Sequence, residues 1–334
     1  MKCFIATMMI IGVILAPVTA MAVNYTFDGD TDNDWATLDN WNPTYVGNPL
    51  APVDDLTVDG SFSPTAAATV NPGAGGSVTI DTSGTVTFST DLRASSVGGT
   101  LTLNNGTVNV ATHFFMGLSG GDSNVVSMAG GSLNVQGFAL LGDGAAYSRF
   151  EQTGGAVSVG IAGGSGTEYI VLGSAANSTA SWSISGGSLT GNNELAIGKH
   201  PANPPFAGVD ATLEVIGTLP TSISCANMTV ANGTGTLRFE MDAGGVTPVT
   251  ASTSVTVTGG TLDLDFSTAP GAGDITLIDN QGGGGITGTF TGAPEGTTYD
   301  GGRFQLTYVG GTGNDLVLVD LAPPGQPGTL IYGK

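Results

Sequence analysis

Five aspartates crowd one short stretch near the start of the chain. With Asp28 as position 1, side-chain oxygens at positions 1, 3, 5 and 12 come from Asp28, Asp30, Asp32 and Asp39; position 7 is Asp34 and position 8 the apolar Trp35. Hard oxygen donors at that spacing make a calcium loop. The stretch departs from such a loop at two places. Asn33 stands where glycine makes the sharp turn, and Asp39 is one methylene shorter than the usual bidentate glutamate. Residues 23–27, just before it, read as a strand. Two readings stay open: a calcium site on Asp28, Asp30, Asp32 and Asp39, or a solvated acidic turn. Near the other end, the run from Gly310 to Leu318 has the form of a calcium-binding nonapeptide. It occurs once, whereas such sites are built from turns on successive coils, so a tight turn into the last strand is expected.

The remaining reactive side chains are scattered. Asp263 and Asp265 lie two apart in an alternating run and so share a strand face. General acid–base work would require a cleft and a third group; without them the pair is a solvated one. Cys225 lies between Ile223 and Met228 in another alternating run, where a thiol is buried and inert. A nucleophilic cysteine wants a histidine partner, and His113 and His200 are both far away in sequence and read as surface residues. Asn-x-Ser/Thr triplets at Asn24, Asn105, Asn177, Asn227 and Asn232 mark exposed turns. Trp35 and Trp41 offer either a packed cap or a sugar-stacking platform.

Composition removes several function classes. Of 334 residues 55 are Gly, only 10% are charged, and the net charge is −20. Neutralising phosphates takes Lys and Arg, so nucleic acid is not an expected partner. Two cysteines cannot make a disulfide scaffold, and 40% hydrophobic residues argue against charge-driven disorder. Residues 1–22 read as a secretory signal: Lys2, then an uncharged apolar run over 3–18, then the small-x-small site Ala20, Met21, Ala22. Cleavage before Val23 removes Lys2, deepens the acidic excess and leaves no membrane span. The rival reading is an uncleaved anchor, for which the apolar run is short.

These side chains are hung on a repeat. Alternating strands meet at turns whose second residue is Gly106, Gly131, Gly155 and Gly187, at near-regular intervals except for one longer step before Gly187. A second marker, an apolar residue followed by Gly, recurs at Gly117, Gly142, Gly173 and Gly198. The offset between the two markers is identical from Gly106 to Gly117, Gly131 to Gly142 and Gly187 to Gly198. It is longer only from Gly155 to Gly173, the copy with a glycine-rich insertion at 162–166. Units of this kind bury their apolar face only by stacking, about 4.8 Å apart. The predicted fold is all-β: a right-handed parallel β-helix (β-solenoid), with Val, Leu, Ile, Met and Phe inside and Thr, Ser, Asn and Gln outside. A meandering β-sandwich is the alternative. Phe114 and Phe115 break the alternation and mark a corner or a core contact. The predicted organisation is a signal peptide at 1–22, an N-terminal cap at 23–64, solenoid repeats at 65–217, a continuation and closing segment at 218–321 in which the repeat register is lost, and a Pro/Gly-rich tail at 322–334.

The segment 288–296, the run from Phe304 to Leu318, the Gly-Gly strand units and an opener containing Trp35, Asn40, Trp41, Pro52 and Asp54 resemble bacterial autotransporter-associated β-strand repeat proteins and related exported passengers. The resemblance covers most of residues 25–320; no translocator barrel follows in this chain. It implies an exported protein, extracellular or on the outer surface of a bacterium. The expectation is a non-enzymatic structural or adhesive β-solenoid, in contact with extracellular polysaccharide or cell-surface components and without a cofactor unless calcium occupies the acidic turn. The alternative is a polysaccharide-acting β-helix enzyme, a lyase or hydrolase, which needs clustered cationic and acidic groups. Arg93, Arg149, Arg238, Arg303, Lys199 and Lys334 are instead spread along the mature chain.

Overall fold

A computed structural model describes residues 23–322 apart from 95–97, 119–122, 145–146, 162–167, 200–205, 220–221 and 232–233. The proposed signal peptide, His200, Asn232, the 162–166 insertion and the tail from 323 lie outside the described residues. What is described is all-β, with helical turns only at Leu38–Asn40 and Asp300–Gly302 among the described residues. No helix among them is long and apolar enough to cross a membrane.

The strands form three ladders, each made of parallel neighbours. In sheet A, Asp55–Gly60 pairs with residues 77–82, these with 100–103, and the series continues through Ser123–Met128, 147–152, 179–184, Asp210–Ile216, Gly235–Glu240 and Thr261–Asp265. Sheet B runs from Thr65–Ala66 through 85–88, 107–110, Ser132–Val135, 156–159, 188–191, 223–225 and 249–251 to 278–280. Sheet C runs from Leu92–Ala94 through Phe114–Met116, Ala139–Leu141, Tyr169–Leu172, 194–197, 227–230 and 254–258 to Thr287–Thr289. A sandwich of antiparallel hairpins does not account for these pairs; a solenoid-like stack does.

The corners explain the sequence markers. Gly106, Gly131, Gly155 and Gly187 all have φ between 70° and 82°, in the left-handed region that an L side chain resists. A Cβ on Gly131 would also run into the carbonyl oxygen of Gly106, one rung below. The backbone at this corner is therefore both left-handed and in contact with its neighbour.

Stacking lines like side chains up inside. Leu56, Val78, Leu101, Val126, Phe150, Trp182, Leu213, Leu237 and Leu262 occupy one register column, and all are buried. Phe150 and Trp182 stack within it at 4.3 Å and 16°. The expected inside–outside division fails at particular residues. Gln152 points inward: its Nε2 donates to the Ser188 carbonyl at 2.9 Å, and its Oε1 accepts from Trp182 Nε1 at 3.3 Å. Thr82, Asn124, Ser148 and Asn280 are buried as well. Phe114 and Phe115 are not a corner; they sit within a strand, Phe114 in the core and Phe115 outward against a second apolar cluster of Leu140, Val171 and Ala196. The register is also not lost after 218. Ala211 pairs with Gly235, Thr236 with Thr261 and Ile223 with Val249, so the rungs continue at almost the same sequence interval. What changes there is the corner between sheets A and B, which becomes a longer turn: residues 241–248 separate Gly235–Glu240 from 249–251, with a positive φ at Gly245.

Both ends are closed. At the start, Asn24–Phe27 pairs parallel with Asp55–Gly60 and antiparallel with Trp41–Asn42. Trp35 and Trp41 meet edge to face at 5.0 Å and are fully buried, and Trp35 packs on Phe88 of sheet B. With their ring faces covered, the two tryptophans cap the core and cannot serve as a sugar platform. At the finish, Asp315–Asp320 pairs antiparallel with Ile275–Asn280 and with Phe304–Gly310. Arg303 latches this hairpin: Nη1 donates to the Pro270 carbonyl at 3.0 Å, Nη2 reaches Asp320 at 3.3 Å, and the guanidinium lies 4.5 Å from the centre of the Phe304 ring.

Two outcomes follow. Gly131→Ala loses about 2 kcal/mol or more in chemical denaturation, whereas Gly283→Ala, which has an ordinary φ and open space around it, stays within about 0.5 kcal/mol of the parent; equal effects would contradict the corner geometry. The Gly273 N–H, then the Ala322 N–H and Arg303, hold the Asp320 carboxyl below its ordinary 3.8. A lowered pKa stabilises the fold above 3.8, and that stability is lost as pH falls through the folded value. The stability gap between wild type and Asp320→Asn is therefore constant above about pH 5 and narrows below 3.8; a gap independent of pH would contradict it.

Candidate functional site

The acidic turn is organised by its own amides. Asn40, fully buried, accepts at Oδ1 from the N–H groups of Thr31 (3.0 Å) and Asp32 (3.1 Å). Its Nδ2 donates to Asp32 Oδ1 at 2.7 Å and to the Asp34 carbonyl at 2.8 Å. Asp32 Oδ1 also accepts from the Asp34 N–H at 2.8 Å, Asp28 from the Asp30 N–H at 3.3 Å, and Asp34 from the Ala36 N–H at 3.0 Å. The Asn40 hydrogen bond, followed by that of the Asp34 N–H, holds the Asp32 carboxyl below its ordinary range. Asp30 and Asp39 are exposed to solvent. Asp28, Asp30, Asp32 and Asp39 thus belong to one acidic turn, but a side-chain amide occupies its centre. Among the described residues, no group of three or more His, Cys, Asp or Glu side chains could hold a metal ion. The donor set does not fit calcium as it stands.

Asp263 and Asp265 do share a face, and a third group joins them. Arg238, one rung below, bonds Asp263 at 3.1 Å and Asp265 at 3.0 Å, and its Nε lies 2.9 Å from Glu214 a further rung down. The Ser267 N–H and hydroxyl, then Arg238, hold the Asp265 carboxyl below its ordinary range. A general acid needs the opposite shift. Sequence reasoning missed this network, although a signal was present: Glu214, Arg238 and Asp263 recur at the interval that separates one rung from the next.

Cys225 is buried, with its thiol pushed up to about 12 by desolvation, and donates weakly to the Thr250 carbonyl at 3.7 Å. A thiol held protonated at neutral pH is not a nucleophile. His113 is half-buried and stacks on Phe138 at 3.6 Å and 13°, with Phe138 stacked in turn on Tyr169 at 5.0 Å. Burial pulls the imidazole below its ordinary pKa, against the pull of Asp91. The run from Gly310 to Leu318 makes the expected tight turn: Asp315 accepts from the Thr312 N–H at 2.9 Å between two paired strands.

Two clefts, both unforeseen, open on the surface. One of about 680 Å³ is lined by residues 279–285 and 312–314. Another of about 270 Å³ is lined by Thr190, Ser224, Thr250, Ser252 and neighbouring backbone, and Gln281 belongs to both. Their walls carry hydroxyls, carboxamides and main chain, with Asp279 the one carboxylate.

Asn40→Ala leaves the N–H groups of Thr31 and Asp32 without their acceptor, so it costs about 2–3 kcal/mol. The melting temperature of the parent is the same in millimolar calcium and in chelator; a calcium-dependent rise abolished by Asp32→Asn would revive the calcium loop. Compared with known proteins, this chain matches no family model, no curated protein and no solved structure.

Proposed function

We propose that this chain is an exported, non-enzymatic right-handed parallel β-helix that works as a structural or adhesive rod at a bacterial surface. The observation that carries the proposal is parallel stacking in three ladders, closed at both ends by packed aromatics and an antiparallel hairpin. Such a stack presents long continuous faces. Right-handedness rests on the general behaviour of connections between parallel strands, about 98% of which turn that way. The autotransporter-like resemblance and the 1–22 signal supply the export route.

The lyase or hydrolase reading gains no support from the titratable groups. Arg93, Arg149, Arg238 and Arg303 are each ion-paired to a carboxylate. The aspartates with displaced pKa values, Asp32, Asp91, Asp242, Asp265 and Asp320, are all lowered. Neither feature prepares a base or an acid for glycosidic chemistry.

Fractionation of bacteria expressing the full chain tests the proposal. The expected result is protein outside the inner membrane whose first residue is Val23, and cytosolic retention when residues 2–22 are deleted. A full-length chain in the cytosol, still starting at Met1, would overturn it.

A further inference from the structure

The three outward faces of the stack differ in chemistry. Sheet A mixes charges with hydroxyls. The row that begins Thr57, Thr79, Thr102 and Ser127 goes on through Glu151 and Ser183 to Glu214, Arg238 and Asp263, which alternate in sign over successive rungs. Arg149 pairs with Glu151 along one strand. Sheet C carries the apolar cluster of Leu140, Val171 and Ala196 with Phe115, Phe138 and Tyr169 against it. Sheet B carries neither. One outward row, in register from Thr87 through Asn109, Asn134, Ser158, Thr190 and Ser224 to Thr250, holds only hydroxyls and carboxamides. The row beside it, from Thr85 to Ser188, is also uncharged. All these side chains are half-exposed.

Stacking alone does not require this neutrality. Like charges in register repel, but sheet A shows that alternating signs are accommodated on the same rungs. A chain with 27 acidic residues nonetheless keeps them off sheet B until Asp279. At that point the row runs into the two clefts that share Gln281. Gly283, Gly284 and Gly285 form the rim there. None has a left-handed φ, and a Cβ on any of them would meet nothing within 4 Å, so the fold itself does not ask for glycine. Their effect is to leave the main chain open to close approach.

We infer that sheet B and the clefts at its end form the binding surface for a neutral polysaccharide chain lying along the stack axis. This rests on the adhesive reading above and names its partner class. Hydroxyls and carboxamides both donate and accept, as sugar hydroxyls do. With no cation in the row, an anionic glycan gains no pairing, and the overall negative charge repels it. The aromatic stack of His113, Phe138 and Tyr169 on sheet C is not the platform, because the rings spend their faces on each other. Rungs about 4.8 Å apart let one polymer engage several of them at once, so weak contacts sum along the chain.

The test is co-sedimentation of the purified protein with microcrystalline cellulose, curdlan and starch granules, with alginate and polygalacturonate gels as anionic counterparts. The expected result is retention on at least one neutral polymer and not on the anionic ones. Asn134→Glu combined with Thr190→Glu, and separately Gly284→Leu, reduce retention about tenfold or more, while Thr79→Glu on sheet A does not. Gly284→Leu fills open space and leaves the melting temperature unchanged, so it remains informative if the double variant misfolds. No retention on any neutral polymer, equal retention on the anionic gels, or full retention by Gly284→Leu would overturn the inference. Retention by a protein that fractionates to the cytosol would instead sink the surface role and leave the binding site standing.

Discussion

Each rung of this protein takes its backbone hydrogen bonds from the rung below and gives them to the rung above. That exchange is the constraint on which everything else depends. A strand buried between two parallel neighbours has no other partner for its N–H and C=O groups, and leaving them unpaired is costly. The rungs must therefore keep a common outline, and extra length between rungs must be absorbed without shifting the ladder. Phe150 and Trp182 are partners in register although the chain between them is longer than between Val126 and Phe150.

In-register stacking has two chemical consequences. Inside, columns of similar apolar side chains build a continuous core, with Gln152 admitted because its amide bonds main chain and the Trp182 indole. Outside, the columns differ from face to face: charges enter sheet A among hydroxyls, sheet B keeps hydroxyls and carboxamides until Asp279, and the second apolar cluster lies on sheet C. The ends, where the ladder would otherwise expose edges and core, are covered by different means: buried indoles at the start and a latched antiparallel hairpin at the finish.

Much of this was legible in the sequence because glycine corners recur. Gly106 to Gly187 and Gly117 to Gly198 mark two bends per rung, and every one of them is left-handed. Past 218 the corner between sheets A and B is a longer turn, as at 241–248, so the marker spacing changes and the register could not be followed there. Side chains that act across rungs were hidden for the same reason: Arg238 finds Glu214 and Asp263 only once the register is known. The acidic turn was legible as a cluster, but not its keystone. Asn40 follows directly on the last aspartate of the spaced set, and nothing in spacing alone says that its amide will turn inward among them.

The parallel register itself is most directly measured by electron–electron distances between spin labels placed in one column of sheet A. Ser77 labelled together with Ser181, Thr212, Thr236 or Thr261 in turn spans four to seven rungs. Stacking gives narrow distributions that lengthen in equal steps, near ~19, ~24, ~29 and ~34 Å. Distances that fail to increase with each added rung, as in a chain folded back into antiparallel hairpins, would contradict the account.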